Sequence, residues 1–321
     1  MNTTEKLSIW YISALKRCNF NCSYCSVGQP LITDNDEWLE TASYDVHLKT
    51  LNWITNLPYQ VRLRMGSIGE PFVSNAYMDS IAELSHSINL EYVEILTNGS
   101  YSSKSFMNFI KKSNPSKLSF WMTYHPTEIG LEKFVNAAIL AKEQGVHVIV
   151  HALLFPDSIE STKLLKSACE INNLSMHVGL GLNFNDAYPN KNFIPILDGP
   201  KIDQDVYNLN VAFPDKVYTL AENTLNAPCS AGHDYIYINR SGDVHQCRNY
   251  FLKRPENRLG STLDINFIPK LRTARYASCQ ISGPCVCIED YQHLEVAEKS
   301  YALTKPSFIP CSKADLSKRI Q

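Results

Sequence analysis

Strand-like and helix-like patterns alternate regularly between Leu7 and about Leu182, and this alternation limits the possible folds more than any other property of the sequence. Repeated βα units place parallel strands in one sheet, joined by right-handed crossovers through helices. The pattern predicts an α/β fold with six strands, two fewer than a complete (β/α)8 barrel has. The predicted strands are Leu7–Ala14, Val61–Met65, Val93–Thr97, Lys117–Thr123, Val146–Leu154 and Ser175–Leu182.

Five helical segments lie between the predicted strands. The clearest is Leu131–Gln144, where apolar residues recur at i, i+3, i+4, i+7 and i+8, the stripe of a helix packed on a sheet. Beyond about Asn183 the alternation stops, and prolines among Asn and Asp residues predict a loop-rich connection. A β-hairpin is then predicted from Tyr235–Asn239 and Val244–Gln246 around a Ser241-Gly242 turn.

These patterns divide the chain into three parts. We expect a barrel domain in residues 1–195, a connection in 196–228, and a small module with the hairpin, followed by a tail, in 229–321. A chain of 321 residues is long enough for one large α/β domain with a small appendage.

Three cysteines follow the first predicted strand within eight residues, as Cys18, Cys22 and Cys25 in a C-x3-C-x2-C loop. Thiolates are soft ligands that suit iron–sulfur clusters or zinc. An iron–sulfur cube needs four protein ligands, so a loop with three leaves one position open, as catalytic metal sites do. A structural zinc knuckle completed by a distant Cys or His, or three reduced thiols, is the alternative.

A second group of cysteines lies in the predicted C-terminal module. The predicted hairpin brings Cys229 and Cys247 together, and the pair Cys285 and Cys287, with Cys279 nearby, can complete a shell of four thiolates. A zinc ribbon fits this spacing equally well. Two cysteines lie outside both groups. Cys169 falls on the apolar stripe of a helix, which predicts core packing. Cys311 lies in the tail and could be a ligand, a hydrogen-atom donor or a residue without function.

Further candidates follow the strands, because the active site of a parallel barrel forms at the carboxyl ends of its strands. After the second strand, Gly69 allows a ligand to approach the backbone, and the carboxylate of Glu70 can accept hydrogen bonds from an ammonium group. Asn98 follows the third strand, and His125 and His151 lie after the fourth and within the fifth. Each candidate also has a purely structural alternative. Glu70 could belong to a capped turn, Asn98 to a common Asn-Gly turn, and His125 and His151 to the core.

The cysteine loop, with Tyr24 in the last interval, resembles the C-x3-C-x-aromatic-C signature of the radical S-adenosylmethionine (SAM) superfamily. The resemblance implies an open six-unit barrel and a [4Fe–4S] cluster on Cys18, Cys22 and Cys25, with SAM bound to the open iron. One electron, from a donor such as flavodoxin or ferredoxin, cleaves SAM to methionine and a 5′-deoxyadenosyl radical. In such enzymes the cofactor carries the chemistry, and the protein binds and orients.

The same resemblance assigns roles to residues after the second and third strands. Gly69-Glu70-Pro71 is similar to the Gly-Gly-Glu-Pro motif that holds the SAM amino group, although Ile68 stands in place of the first glycine. Asn98 is then expected to bond the ribose hydroxyls of SAM. His125 and His151 are predicted to line the substrate pocket and take part in catalysis from their positions after the fourth strand and within the fifth, not from the resemblance.

The spacing Cys229-x12-Gly242-x4-Cys247 resembles the auxiliary-cluster module called SPASM, or its shorter twitch form. The chain keeps the C-x5-C step of that module between Cys279 and Cys285, lacks the leading C-x2, and shortens the last interval to one residue. The resemblance implies one auxiliary [4Fe–4S] cluster. Its expected ligands are Cys229, Cys247, Cys285 and Cys287. A second, incompletely ligated cluster on Cys279 and Cys311, in addition to the first, is left open.

Charge and targeting signals restrict partners and location. A net charge of −2 and a pI near 6.5 disfavour nucleic-acid substrates, which need a basic surface. The N-terminus lacks a secretory signal, and no apolar run reaches the roughly 18 residues of a membrane helix. These features predict a soluble cytoplasmic protein without a membrane partner, in which ten cysteines serve metal or redox chemistry rather than disulfides.

The expected activity is removal of a hydrogen atom from a substrate carbon, with oxidation or epimerisation of a small polar metabolite of the sugar or aminocyclitol type. Only seventeen residues precede Cys18, which leaves no room there for a leader-peptide-binding domain. One alternative is a peptide maturase that epimerises or crosslinks a ribosomal peptide. Others are a non-catalytic iron–sulfur or zinc regulatory protein and a radical enzyme that modifies nucleic acid.

Overall fold

The computed structural model describes residues 6–25, 36–180, 182–183, 194–195 and 225–281. Its main feature is a nine-stranded sheet, in which the six predicted strands are consecutive neighbours and pair in parallel. The predicted partial barrel is therefore confirmed. Its strands are β1 (Lys6–Ser13), β2 (Gln60–Ser67), β3 (Leu90–Thr97), β4 (Leu118–Tyr124), β5 (His147–Leu154) and β6 (Ser175–Leu180).

Helices connect these strands, as predicted. The helix forecast at Leu131–Gln144 forms over Leu131–Glu143. Short 3-10 turns at Pro71–Val73 and Pro115–Lys117 begin with proline, which fits the first turn of a helix. No helix of the described residues is long and apolar enough to span a bilayer. The connecting helices are α1 (Ser43–Thr55), α2 (Asn75–Leu84), α3 (Ser103–Lys112), α4 (Leu131–Glu143) and α5 (Ile159–Ile171).

The two faces of the barrel strands differ in character, because successive side chains of a strand point to opposite faces. On β1, Leu7, Ile9 and Tyr11 join the apolar core shared with the helices. Cys169 of α5 is buried in the same core, with 1% of its surface exposed, as predicted. The alternate positions face the barrel interior and include polar and aromatic residues, such as Ser8 and Trp10.

The predicted C-terminal hairpin is present and belongs to the barrel sheet. It consists of β10 (Tyr235–Ile238) and β11 (Asp243–His245), which pair antiparallel. Strand β10 also pairs in parallel with β1, so that Tyr237 lies opposite Trp10. The hairpin therefore extends the barrel sheet instead of forming a separate one. The shorter strands are β7 (Leu182–Asn183), β8 (Ile194–Pro195), β9 (Pro228–Cys229), β12 (Gly260–Ser261) and β13 (Ala277–Ser278), and one further helix is α6 (Arg248–Lys253).

Contacts with α1 hold the C-terminal part against the barrel. Thr50 and Thr262 share a hydrogen bond of 2.8 Å between their hydroxyl groups. The indole of Trp53 donates to the carbonyl of Phe267 at 2.7 Å, and the two rings stack. The predicted connection, residues 196–228, lies almost wholly outside the described residues, so the predicted domain boundaries stay predictions.

Candidate active site

The cysteine loop begins where β1 ends, at the carboxyl edge of the barrel. Cys22 is buried, and Cys18 and Cys25 are half-buried. A turn joins the last two, with the amide of Cys25 donating to the carbonyl of Cys22 at 3.1 Å. The amide of Phe20 donates to Sγ of Cys18 at 3.4 Å. The loop thus presents three thiols at the edge where parallel barrels carry their active sites.

The thiols lie close enough to affect one another's ionisation. The pKa of Cys18 is raised to about 11, chiefly by burial; the charges of Glu70 and Cys25 act in the same direction, and hydrogen bonds from the backbone oppose the shift. Burial likewise raises the pKa of Cys22 to about 12, with added repulsion from Glu128, Cys25 and Cys18. Thiolates at these positions therefore require a compensating cation, which a metal centre supplies.

The chemistry of the three thiols indicates which metal centres the loop can hold. Thiolates are soft ligands that suit iron–sulfur clusters and zinc. The donor set of Cys18, Cys22 and Cys25 therefore fits an iron–sulfur cluster, whereas a structural zinc ion would need a fourth ligand from elsewhere in the chain.

The turn after β2 is bonded to the segment that leads into the cysteine loop. The amide of Gly69 donates to the carbonyl of Leu15 at 2.8 Å, and the amide of Glu70 donates to that of Arg17 at 2.9 Å. A Cβ at position 69 would overlap the carbonyl oxygens of Lys16 and Arg17. Glycine is therefore required at 69 by close backbone approach, whereas the preceding Ile68 fits with a buried side chain.

Glu70 connects the ends of β2 and β3. Its Oε1 accepts from the Thr97 hydroxyl at 2.7 Å and from the Phe72 amide at 3.1 Å, and its Oε2 accepts from the Asn98 amide at 2.7 Å. Burial raises the pKa of Glu70 to about 7, although these three hydrogen bonds oppose the shift. A carboxylate offers about four acceptor positions. Three are used within the protein, which leaves capacity for one more donor.

Asn98 lies beside the cysteine loop, where the sequence predicts a cofactor-binding residue. Its Nδ2 donates to Oδ1 of Asn19 at 3.1 Å, and Asn19 in turn donates to the Ser100 hydroxyl at 2.8 Å. The ends of β1 and β3 are therefore linked through side chains. Asn19 and Ser100 are not among the predicted site residues, although the position of Asn19 between two cysteines is a signal for it.

Two other predicted site residues, Tyr24 and His125, are in contact. The Tyr24 hydroxyl lies 2.9 Å from Nδ1 of His125, the two rings stack at 5.7 Å, and Sγ of Cys22 lies 3.5 Å from the same nitrogen. Burial, followed by the charge of His151, lowers the pKa of His125 to about 4, so its ring is neutral at physiological pH. The structure thus places His125 against the cysteine loop.

His151 lies on the interior face of β5. Its Nδ1 is 3.1 Å from the Thr123 hydroxyl, and its ring stacks on His177 at 5.5 Å. Next to them, a buried ion pair joins Arg64 to Glu94 at 3.3 Å, with 1% and 4% of the side chains exposed. The barrel interior is therefore polar and aromatic, as a pocket for a polar substrate requires.

Solved structures have a similar fold, and two of the three described here contain bound AdoMet, which is SAM. Native anSMEcpe with bound AdoMet is similar at a TM-score of 0.55 and 15% identity, over 80% of this chain and 78% of that one. The same enzyme with AdoMet and the Cp18Cys peptide aligns at a TM-score of 0.53 and 16% identity, over 81% of this chain and 78% of that one. Streptococcus suis SuiB bound to precursor peptide SuiA aligns at a TM-score of 0.54 and 14% identity, over 82% of this chain and 64% of that one.

The chain has the radical SAM fold. This confirms the fold that the cysteine loop and the βα alternation predict. No protein-family model matches the sequence, and no curated protein matches it either.

In this radical SAM fold, the described cysteines of the C-terminal module are Cys229, Cys247 and Cys279. Strands β9 and β13 pair, and the amide of Cys279 donates to the carbonyl of Ala227 at 2.9 Å, two residues before Cys229. Burial raises the pKa of Tyr250, and the charges of Cys247 and Cys279 raise it further, so both thiols lie near this ring. The remaining predicted ligands lie outside the described residues: Cys285, Cys287 and Cys311.

Proposed function

We propose that the protein is a radical SAM enzyme that removes a hydrogen atom from a carbon of its substrate. One observation carries the proposal: the loop with Cys18, Cys22 and Cys25 is bonded through its own flanking residues to the turns after β2 and β3. The bonds run from Gly69 and Glu70 to Leu15 and Arg17, and from Asn98 to Asn19. The residue types expected for a cluster and for SAM thus meet at one edge of the barrel.

In this proposal, Cys18, Cys22 and Cys25 hold a [4Fe–4S] cluster, and SAM bound to it supplies, on one-electron reduction, the 5′-deoxyadenosyl radical. The close backbone approach at Gly69 shapes the turn next to the cluster. Glu70 fixes the loop after β3 and offers its remaining acceptor position to the SAM ammonium group. A flavodoxin or ferredoxin is the proposed electron donor.

We further propose an auxiliary [4Fe–4S] cluster in the C-terminal module, with Cys229, Cys247 and Cys279 among its ligands. The positions of Cys279 beside β9 and of Cys247 near Tyr250 support this set. Cys285 and Cys287 stay predicted ligands, of which one completes the shell. An auxiliary cluster would accept an electron from the product radical or bind the substrate.

The proposed substrate is a small polar metabolite that is oxidised or epimerised, and the polar barrel interior around Arg64, Glu94 and His151 supports it. A peptide substrate is the second candidate, because the similar structures anSMEcpe and SuiB are described with bound peptides. A cytoplasmic location belongs to the same proposal, since nine of the ten cysteines are predicted or possible metal ligands and need a reducing compartment.

The test is anaerobic reconstitution of the full chain, followed by iron and sulfide analysis and assay of 5′-deoxyadenosine from SAM with dithionite. We expect about eight irons per chain, falling to about four when Cys18, Cys22 and Cys25 are changed together to Ala, with loss of SAM cleavage. The matched control is Cys169→Ala, which removes a buried thiol of the core. It should keep all the iron and the cleavage activity.

Other outcomes separate the remaining candidates. Zinc in place of iron, or a fully loaded protein that does not cleave SAM, would contradict the proposal that the protein is an enzyme and favour a regulatory metalloprotein. About four irons in the wild type and none in the triple variant would support the proposed catalytic cluster and contradict the proposed auxiliary cluster. Tight, salt-sensitive RNA binding would favour the nucleic-acid-modifying alternative.

A further inference from the structure

An aromatic cluster lies inside the barrel where β1 meets the C-terminal hairpin. Trp10 and Tyr237 pack edge to face at 5.9 Å between ring centroids, and Phe251 of α6 lies 5.7 Å from Tyr237. His245 of β11 packs on Phe251 at 5.5 Å. The guanidinium of Arg248 stands 5.3 Å from the centre of the Trp10 ring. The C-terminal module thus contributes a cation to the barrel interior.

Polar groups in this cluster lack partners among the described residues. The indole N–H of Trp10 is buried without a hydrogen-bond acceptor, and the two ring nitrogens of His245 are buried without a hydrogen-bond partner. Trp10 is 7% exposed and His245 is 1% exposed. Within the same ranges Arg248 has neither an ion pair nor a hydrogen bond, and its recorded contact is the Trp10 ring. Buried polar groups without hydrogen-bond partners are costly and rare, so they point to a missing ligand.

The charged residues around the aromatic cluster indicate the charge of this ligand. Arg64, 5.8 Å from the Trp10 ring, is neutralised by Glu94. Asp243, next to the cluster on β11, is paired with Arg258 at 2.8 Å. Arg248 therefore leaves one positive charge uncompensated in the described part of the interior. One negative charge balances it, which matches a carboxylate and leaves a phosphate dianion only half compensated.

We propose that Arg248, Trp10 and His245 form a subsite for a carboxylate group of the substrate. The planar guanidinium fork matches a carboxylate in a bidentate arrangement, and the indole N–H adds a third donor to the same group. The identification of this ligand as the substrate rests on the proposed function. The subsite restricts the substrate class to acids, either a small carboxylic acid or a peptide that presents a carboxylate.

The test measures binding directly, by the nuclear magnetic resonance signals of the indole N–H groups in the full-length protein reconstituted with iron and sulfide. The chain has four tryptophans, and the Trp10→Phe variant assigns the signal of interest. The probes are propionate, its uncharged analogue propionamide, inorganic phosphate, and an amidated Gly-Glu-Gly peptide. We expect a saturable shift of the Trp10 signal with propionate and none with propionamide.

Two arginine variants locate the charge. Arg248→Gln should weaken propionate binding about tenfold, as expected for loss of one charge-assisted hydrogen bond. Arg254→Gln, at the exposed end of the same helix, should leave it unchanged. A Trp10 signal that does not respond to propionate, responds equally to propionamide, prefers phosphate, or is unaffected by Arg248→Gln would overturn the subsite.

The peptide probe distinguishes the two sources of a carboxylate. Binding of propionate alone supports a small acid, and tighter binding of the peptide supports a peptide carboxylate. SAM cleavage is measured separately on the same samples. Propionate binding without SAM cleavage would contradict the proposed function and keep the subsite, whereas cleavage without binding would contradict the subsite alone.

Discussion

At the scale of single residues, Glu70 performs two tasks with one carboxylate. Its oxygens accept from Thr97, Phe72 and Asn98, which fixes the loop after β3. One acceptor position is left for a ligand. An amide at this position has a single oxygen, so its NH2 group would face at least one of the three donors. The carboxylate is therefore needed for the loop as well as for any bound ammonium group.

We expect Glu70→Gln to weaken SAM binding by about tenfold to a hundredfold, because charge-assisted hydrogen bonds contribute about 1.5–3 kcal/mol each. The iron content of the anaerobically reconstituted protein should stay unchanged, since Glu70 is not a ligand. Equilibrium dialysis of SAM measures the effect. Glu83→Gln, on the exposed face of α2, is the control. Unchanged SAM affinity in Glu70→Gln would remove this residue from the site.

His47 shows a second residue whose ionisation is tied to the fold. It lies fully buried between β1 and α2, with Nδ1 3.2 Å from the Tyr11 hydroxyl and Nε2 2.9 Å from the Ser80 hydroxyl. Burial lowers its pKa from 6.5 to about 3. The folded state therefore holds a neutral ring where the unfolded chain takes up a proton. The stability that this provides is complete above about pH 6.5 and is lost as the pH falls toward 3.

Replacing His47 by Phe should remove this pH dependence. Below about pH 6.5, the free energy of unfolding of the wild type should fall by up to about 1.4 kcal/mol per pH unit more steeply than that of His47→Phe. Urea unfolding of the reduced protein at about pH 7.5, 6 and 5 measures the difference in slope. The surface variant His86→Gln controls for loss of a histidine. Equal slopes for the wild type and His47→Phe would show that the ring takes up a proton in the folded state.

At the scale of elements, the turn of the C-terminal hairpin depends on its glycine. Gly242 has φ of +81°, a left-handed conformation that favours glycine. A Cβ there would also lie 2.6 Å from Oγ1 of Thr262, whose hydroxyl is bonded to Thr50 of α1. The glycine of the Cys229-x12-Gly242-x4-Cys247 pattern is thus required both by the turn and by packing of the hairpin on the barrel.

Gly145 provides a matched comparison, because it has φ of +82° but its nearest neighbour for a Cβ is Pro115 at 4.0 Å. We expect Gly145→Ala to cost about 1–2 kcal/mol for backbone strain alone. Gly242→Ala should cost about 1–3 kcal/mol more, for the added overlap with Thr262. Urea unfolding measures both. Equal losses in the two variants would mean that Thr262 moves aside freely and that packing against α1 does not restrict the turn.

The elements themselves are largely predictable from the sequence. The strands and helices of the barrel follow from apolar periodicity, and the hairpin follows from the Ser241-Gly242 turn between two apolar runs. The parallel pairing of β10 with β1 does not follow in this way. Those strands are more than two hundred residues apart, and periodicity carries no information on which distant strand becomes the neighbour.

The candidate site is also only partly predictable from the sequence. Glu70 and Asn98 can be chosen as candidates from the sequence because position and residue type coincide, and the structure places both beside the cysteine loop. Arg64 and Trp10 are missed, because a polar or aromatic residue at an alternate strand position looks the same whether it faces solvent or a barrel interior. Arg248 is missed because its place in the interior depends on the pairing of β10 with β1.

At the scale of the whole molecule, that pairing makes the C-terminal hairpin a part of the barrel's stability. Without β10, the edge of β1 would present unpaired backbone groups. The hydroxyl pair of Thr50 with Thr262 and the contact of Trp53 with Phe267 add links to α1. We therefore expect barrel and hairpin to unfold as one cooperative unit.

Hydrogen exchange at increasing urea concentrations tests this directly, because amides in one cooperative unit open with the same free energy. Amides of Tyr235–Ile238 should exchange with the free energy measured for Lys6–Ser13, and the two should fall together with urea. Thr50→Val, which removes one link between the parts, should lower both equally, by about 1–3 kcal/mol for the Thr262 hydroxyl left without this partner. If Tyr235–Ile238 instead opens at a lower free energy that urea does not change, the hairpin is a docked appendage. Arg248 would then reach the interior only in the closed state, and carboxylate binding would depend on closure.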